Sequence, residues 1–209
     1  MVLPILGPAP AKMRDTATAP VVDLFVQGLA VAYSYGPPYG QRYVTHDDLN
    51  RMELTRRGLR RLATDVLDRM VNLARVHGRP PALMLSCNGL ESSLLLAERF
   101  WQRLAATVPG ELVIGVPARD VVICTGSHSR QGVAKVRRAV DRVFLAGGAN
   151  LLTPDLLVYR QGRWHAFDAP PVGAAPEPVN AMPFAPQPPV REQRQWQQPV
   201  RRIASGRRW

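Results

Sequence analysis

The stretch Gly110 to Gly126, which reads Gly-Glu-Leu-Val-Ile-Gly-Val-Pro-Ala-Arg-Asp-Val-Val-Ile-Cys-Thr-Gly, constrains the fold more than any other part of the chain. Two β-branched runs, Leu112 to Val116 and Val121 to Thr125, flank a Pro117-Ala118-Arg119-Asp120 link. Pro117 presets one turn dihedral there, and Asp120 can accept from nearby backbone amides. Each run is too short for a helix and too apolar for an exposed edge. The pair therefore reads as a β-hairpin at the centre of a sheet with at least one covered face.

Around that hairpin the remaining segments fall into order. Prolines at 4, 8, 10 and 20 among small residues show neither helical nor alternating period, so residues 1–20 read as an extended N-terminal arm. Val22, Leu24, Val26, Leu29, Val31 and Tyr33 alternate loosely, as one strand broken near Gln27-Gly28 or as a tight hairpin. Thr45 caps a short helix with Asp47 and Asp48 in its first turn. Thr55 opens a longer one, whose apolar positions Leu59, Leu62, Ala63, Val66, Met70, Leu73 and Ala74 share a face. His77-Gly78-Arg79-Pro80-Pro81 is expected to stop it. A short strand over 82–87, an apolar helix over 91–108, a helix over 132–145 and a final hairpin, 156–160 with 163–167, complete the pattern. The expected class is α+β: a mixed, mainly antiparallel sheet centred on hairpin 110–126, with helices packed on one side in a single domain over 21–168.

Residues 169–209 differ in kind. Nine prolines between Pro170 and Pro199 leave no room for a regular element, and arginines outnumber acids. This Pro/Arg-rich tail is expected to stay disordered or to dock on a partner. Its anchors would be Trp196 and Trp209, flanked by Arg191, Arg194, Arg201, Arg202, Arg207 and Arg208.

A formal charge of +11 over 209 residues favours acidic partners. Lys12 and Lys135 are the only lysines, so a solvated arginine surface of compositional origin explains the same number. Cys87 and Cys124 each sit in an apolar run, as a small buried hydrophobe does in a reducing compartment. No run is apolar for long enough to span a bilayer and no signal-peptide pattern opens the chain, so the expected location is the cytoplasm.

Catalytic constellations are not evident. His46, His77, His128 and His165 are dispersed, neither cysteine has a ligand-spaced neighbour, and the serines near Gly89 do not form a Gly-x-Ser-x-Gly elbow. No catalytic residue, metal site or cofactor is expected. For a small anion the best candidate is the loop Thr125-Gly126-Ser127-His128-Ser129-Arg130-Gln131-Gly132, in which Thr125, Gly126, Ser127, Ser129 and Arg130 stand between a strand and a helix N-terminus. Ordinary strand-to-helix connections use the same residues, and the Gly-Lys-Ser/Thr of a phosphate-binding P-loop is missing.

The succession Leu54-Thr55 to Leu59, Asn72-Leu73, Trp101, Gly110 to Val121, Gly147-Gly148 and Leu152-Thr153-Pro154 resembles the YtpQ family of uncharacterised bacterial proteins over about residues 21–167. Val116-Pro117-x-x-Asp120-Val121 is the most specific piece, and the chain departs from the family at its short front and in its tail. The resemblance implies a bacterial cytosolic α+β domain and transfers no activity or catalytic residue. The expected role is non-catalytic binding of an acidic protein partner, as an adaptor or immunity-type protein. Nucleic-acid association through Lys135, Arg137, Arg138, Arg142 and the tail is the alternative, and an enzyme or binder that uses loop 125–132 for a phosphate-bearing ligand is a further one.

Overall fold

The structure, a computed structural model, describes residues 1–37 and 40–168. The chain is α+β, as the pattern of runs predicts, but its strands form two antiparallel sheets instead of one.

The first departure is at the front. Val2–Pro8 is not an arm but strand β1, with Leu3 and Leu6 fully buried on its opposite faces. Val22–Leu24 (β2) and Leu29–Tyr35 (β3) form the tight hairpin, turning through left-handed Gln27 and Gly28. β1 then lies antiparallel to β3, from Val2 opposite Tyr35 to Pro8 opposite Leu29. As an edge of this small sheet, β1 tolerates Pro4 and Pro8, because a proline nitrogen turned away from β3 forfeits no ladder bond. Arg42–Tyr43 (β4) pairs with the other end of β3.

Two capped helices follow. His46–Arg51 (α1) starts with a full capping box between Thr45 and Asp48, and Arg56–Met70 (α2) with Thr55 accepting from the Gly58 amide. Leu59, Ala63 and Leu67 of α2 are fully buried, whereas Leu62 and Leu73 stay exposed. α2 stops earlier than its apolar period suggests. After a 3₁₀ turn over Val71–Leu73, Arg75–Arg79 is strand β5, with all five residues exposed. An edge strand without apolar alternation leaves no periodic trace in a sequence.

β5 pairs with Ala82–Ser86 (β6). The single helix expected over 91–108 is split into a 3₁₀ segment, Ser92–Leu96, and Glu98–Ala105 (α3), with Ala97 between them. The fully buried Trp101 accounts for the break. Its Nε1 donates to the Leu94 carbonyl at 2.5 Å, the oxygen an uninterrupted α-helix would offer to the residue four positions on.

The central hairpin is Leu112–Ala118 (β7) and Val121–Gly126 (β8). Pro117 lies within β7, where the register shifts between Gly115 and Ala118, so the turn contains Arg119 and Asp120 alone. Arg130–Ala146 is α4, and Leu156–Arg160 (β9) and Arg163–Ala166 (β10) close the chain described. The large sheet runs β10-β9-β7-β8-β6-β5, with the hairpin in the middle.

Helices flank this sheet on both faces, not one. Leu112, Ile114 and Val116 alternate into a core shared with α2, Trp101 and the small sheet. Val113, Ile123 and Val158 face Val136 and Val140 of α4 in a separate, smaller core. Gly115 permits that second contact, since a Cβ there would stand 2.4 Å from Val140 Cγ2. No helix among the described residues is long and apolar enough to cross a membrane.

Candidate functional site

The tail residues Arg191, Arg194, Trp196, Arg201, Arg202, Arg207, Arg208 and Trp209 lie outside the described residues. Loop 125–132 is described, and its groups turn inward. Thr125 Oγ1 donates to the Pro81 carbonyl, and Ser127 exchanges two bonds with Glu111, amide to carbonyl at 2.7 Å and Glu111 amide to hydroxyl at 2.9 Å. Ser129 caps α4 by accepting from the Gly132 amide, and its own amide donates to Gly126. Gly126 and Gly132 are packing positions: a Cβ would meet the Pro109 carbonyl at 2.2 Å in one case and Thr125 Oγ1 at 2.0 Å in the other. These contacts tie the hairpin to α4, whose first residue is Arg130.

Residue types used in catalysis occur at two other places. His77 Nε2 stands 2.7 Å from Ser86 Oγ across β5 and β6, but no carboxylate among the described residues orients the imidazole, and the pair lies on an exposed edge. Both cysteines are buried free thiols, and burial pushes the Cys124 thiol up to about 12 and raises that of Cys87 as well. Neither is a ready nucleophile at neutral pH. Among the described residues no three His, Cys, Asp or Glu side chains gather where they could hold a metal ion.

The group that stands apart is Arg119. Its backbone is fixed from two sides: its amide donates to the Asn150 carbonyl and its carbonyl accepts from the Ser92 amide, each at 3.0 Å. From this turn the side chain folds back over the small sheet. Nη2 comes within 3.7 Å of the point a Cβ on Gly7 would occupy, and Nη1 within 3.2 Å of the equivalent point on Gly40. That second point is also 3.7 Å from the Tyr43 hydroxyl. Gly40 has φ +86°, so glycine is required there by backbone as well as by space.

Arg119 Nε is buried without a hydrogen-bond partner, and among the described residues the guanidinium has no ion pair. An arginine so placed has lost part of its hydration with nothing in exchange. It looks into a cavity of about 210 Å³ floored by Ile5, Gly7, Ala30 and Ala32. Register puts these residues on one face: Ile5 opposes Ala32, and Gly7 opposes Ala30. Pro10, Pro20 and Val22 are shared with an adjoining cavity of about 480 Å³, along which Lys12 and Arg14 lie. No acid lines either cavity. The result is a pair of adjoining, mainly apolar cavities with three cations along them.

In the sequence Arg119 reads as a turn residue, and Lys12 and Arg14 as part of an arm. An arginine in a two-residue turn between fully apolar strands is the one local sign that its side chain has to find a place nearby. Comparison with family models, with curated proteins and with solved structures finds no match to this chain.

Proposed function

We propose that this is a non-catalytic binding protein of a bacterial cytosol, of the adaptor or immunity kind, which holds an acidic protein partner in the groove beside Arg119. The observation that carries the reading is the half-buried Arg119, its Nε buried without a hydrogen-bond partner and its guanidinium without an ion pair among the described residues, beside an apolar floor in a groove that no acid lines. Such a site favours a carboxylate from outside the chain, because part of the desolvation of the arginine is already met in the free protein and a charge-assisted pair is gained on binding. The resemblance to the YtpQ family belongs to this reading and lends it no residues.

The test is affinity purification from native cells with the full chain, with Arg119→Gln and with a chain truncated after Asp168. A stoichiometric acidic protein retained by the full chain and lost with Arg119→Gln supports the groove. Loss on truncation with retention by Arg119→Gln moves the binding function to the tail. Recovery of nuclease-sensitive material, falling steeply with salt, replaces the protein partner by nucleic acid.

A further inference from the structure

We propose that the cavity under Arg119 takes the C-terminal residue of the partner chain, with its apolar side chain on the Gly7-Ala30-Ala32 floor and its α-carboxylate on the guanidinium. The inference rests on the partner-binding reading above and specifies which part of the partner enters.

Size and chemistry point the same way. A cavity of about 210 Å³ admits the end of a chain, and its floor is apolar. A terminal leucine brings an apolar side chain of four carbons next to the carboxylate. An internal Asp or Glu supplies the charge but only one or two methylenes, too little to cover a floor made of Ile5, Gly7, Ala30 and Ala32. A phosphate fits worse, since its oxygens ask for more donors than one guanidinium and the Tyr43 hydroxyl provide.

Geometry also separates this site from a solvated surface arginine. Arg119 is held at both its amide and its carbonyl, so the fork arrives with its origin fixed, and a carboxylate can accept from it in bidentate fashion. Pro10, Pro20 and Val22 line both this cavity and the larger one beside it, where Lys12 and Arg14 stand. The residues preceding the terminus therefore run past two further cations, and acidic side chains are favoured there.

The experiment uses the immobilised full-length chain and two pools of random octapeptides, one with free C-termini and one amidated. The free pool is expected to yield retained peptides ending in Leu, Val, Ile or Phe, with Asp or Glu upstream. Amidating a retained peptide should weaken it at least about tenfold, and Arg119→Gln should do the same to the free form. Ala32→Leu, which fills the floor without touching the charge, should also weaken binding while the thermal midpoint stays in place. This second variant keeps the test valid if Arg119→Gln perturbs the turn.

Equal retention of amidated and free peptides overturns the inference, and if those peptides are still acidic the partner-binding reading survives it. Wild-type affinity in both variants overturns it too. If 4-methylpentanoate binds as tightly as the best peptide, the cavity belongs to free carboxylic acids and not to a chain terminus. Retention from neither pool overturns the inference as well, and native-cell purification then decides the broader reading alone.

Discussion

Gly115→Ala is the sharpest single test of the two-core architecture. The added Cβ would lie 2.4 Å from Val140 Cγ2, 3.0 Å from Val136 Cγ1 and 3.3 Å from Leu156 Cδ2. Carbon atoms settle at about 3.5–4.0 Å, so more than about 1 Å of space must open. Val140 cannot readily rotate away, because a β-branched residue in a helix has essentially one χ1 rotamer, and Val136 and Leu156 close the other directions. α4 must lift from the sheet or the strand must bend. Overpacking of this kind destabilises by about 1–3 kcal/mol, and the better strand propensity of alanine returns about 0.5–1 kcal/mol. A net loss of about 1 kcal/mol corresponds to a midpoint drop of roughly 2–4 °C for a domain of this size. Urea unfolding with an unchanged m-value gives the free energy directly. Adding Val140→Ala should make the double variant less destabilised than the sum of the singles by about 1 kcal/mol or more. A Gly115→Ala protein as stable as the wild type, or a strictly additive double variant, would show that α4 does not press on β7 as described.

Other outcomes follow from the same structure. Trp101→Ala should cost about 3–5 kcal/mol, since it removes a fully buried indole together with the donor to Leu94, and calorimetry or urea titration reads it. Glu111 accepts from Arg160 Nε at 2.6 Å and Nη2 at 2.7 Å, and this pair holds its carboxyl below the usual 4.5. A depressed carboxyl stabilises the fold above its unfolded value, so Glu111→Gln should show a small deficit at neutral pH. That deficit should disappear as the pH falls below 4.5 through the lowered folded value, and paired unfolding curves across that range check it. Cys87 and Cys124 should resist thiol reagents at pH 8 in the native protein and react fully in urea, since burial raises both thiols. Rapid native labelling of either would contradict its placement.

The parts of the fold legible in the sequence are those whose burial is periodic. Hairpin 112–126, α2 and α4 bury one face or both, and their apolar residues recur accordingly. The prolines of β1 mask a strand because an edge position makes them harmless, which depends on a neighbour far along the chain. Arg75–Arg79 is invisible for the opposite reason, having nothing buried to repeat. The helix break at Ala97 depends on the Trp101 indole reaching back to a carbonyl, a tertiary event that leaves propensities unaltered. The groove is the least legible feature. It joins Gly7, Gly40 and Arg119, and only the meeting of the two sheets brings them together.

The exposed strand β5 carries its own consequence. As the outermost strand of the large sheet, it leaves one row of backbone donors and acceptors open to another chain. Arg75, His77 and Arg79 share one side of that rim, so two copies approaching edge to edge in antiparallel fashion bring arginine against arginine. This repulsion is a guard against edge-to-edge pairing of two copies, and it is only as strong as the charge is unscreened. A polyanion neutralising the rim would remove the guard and join two copies through β5, a self-complementary contact that closes on itself as a pair.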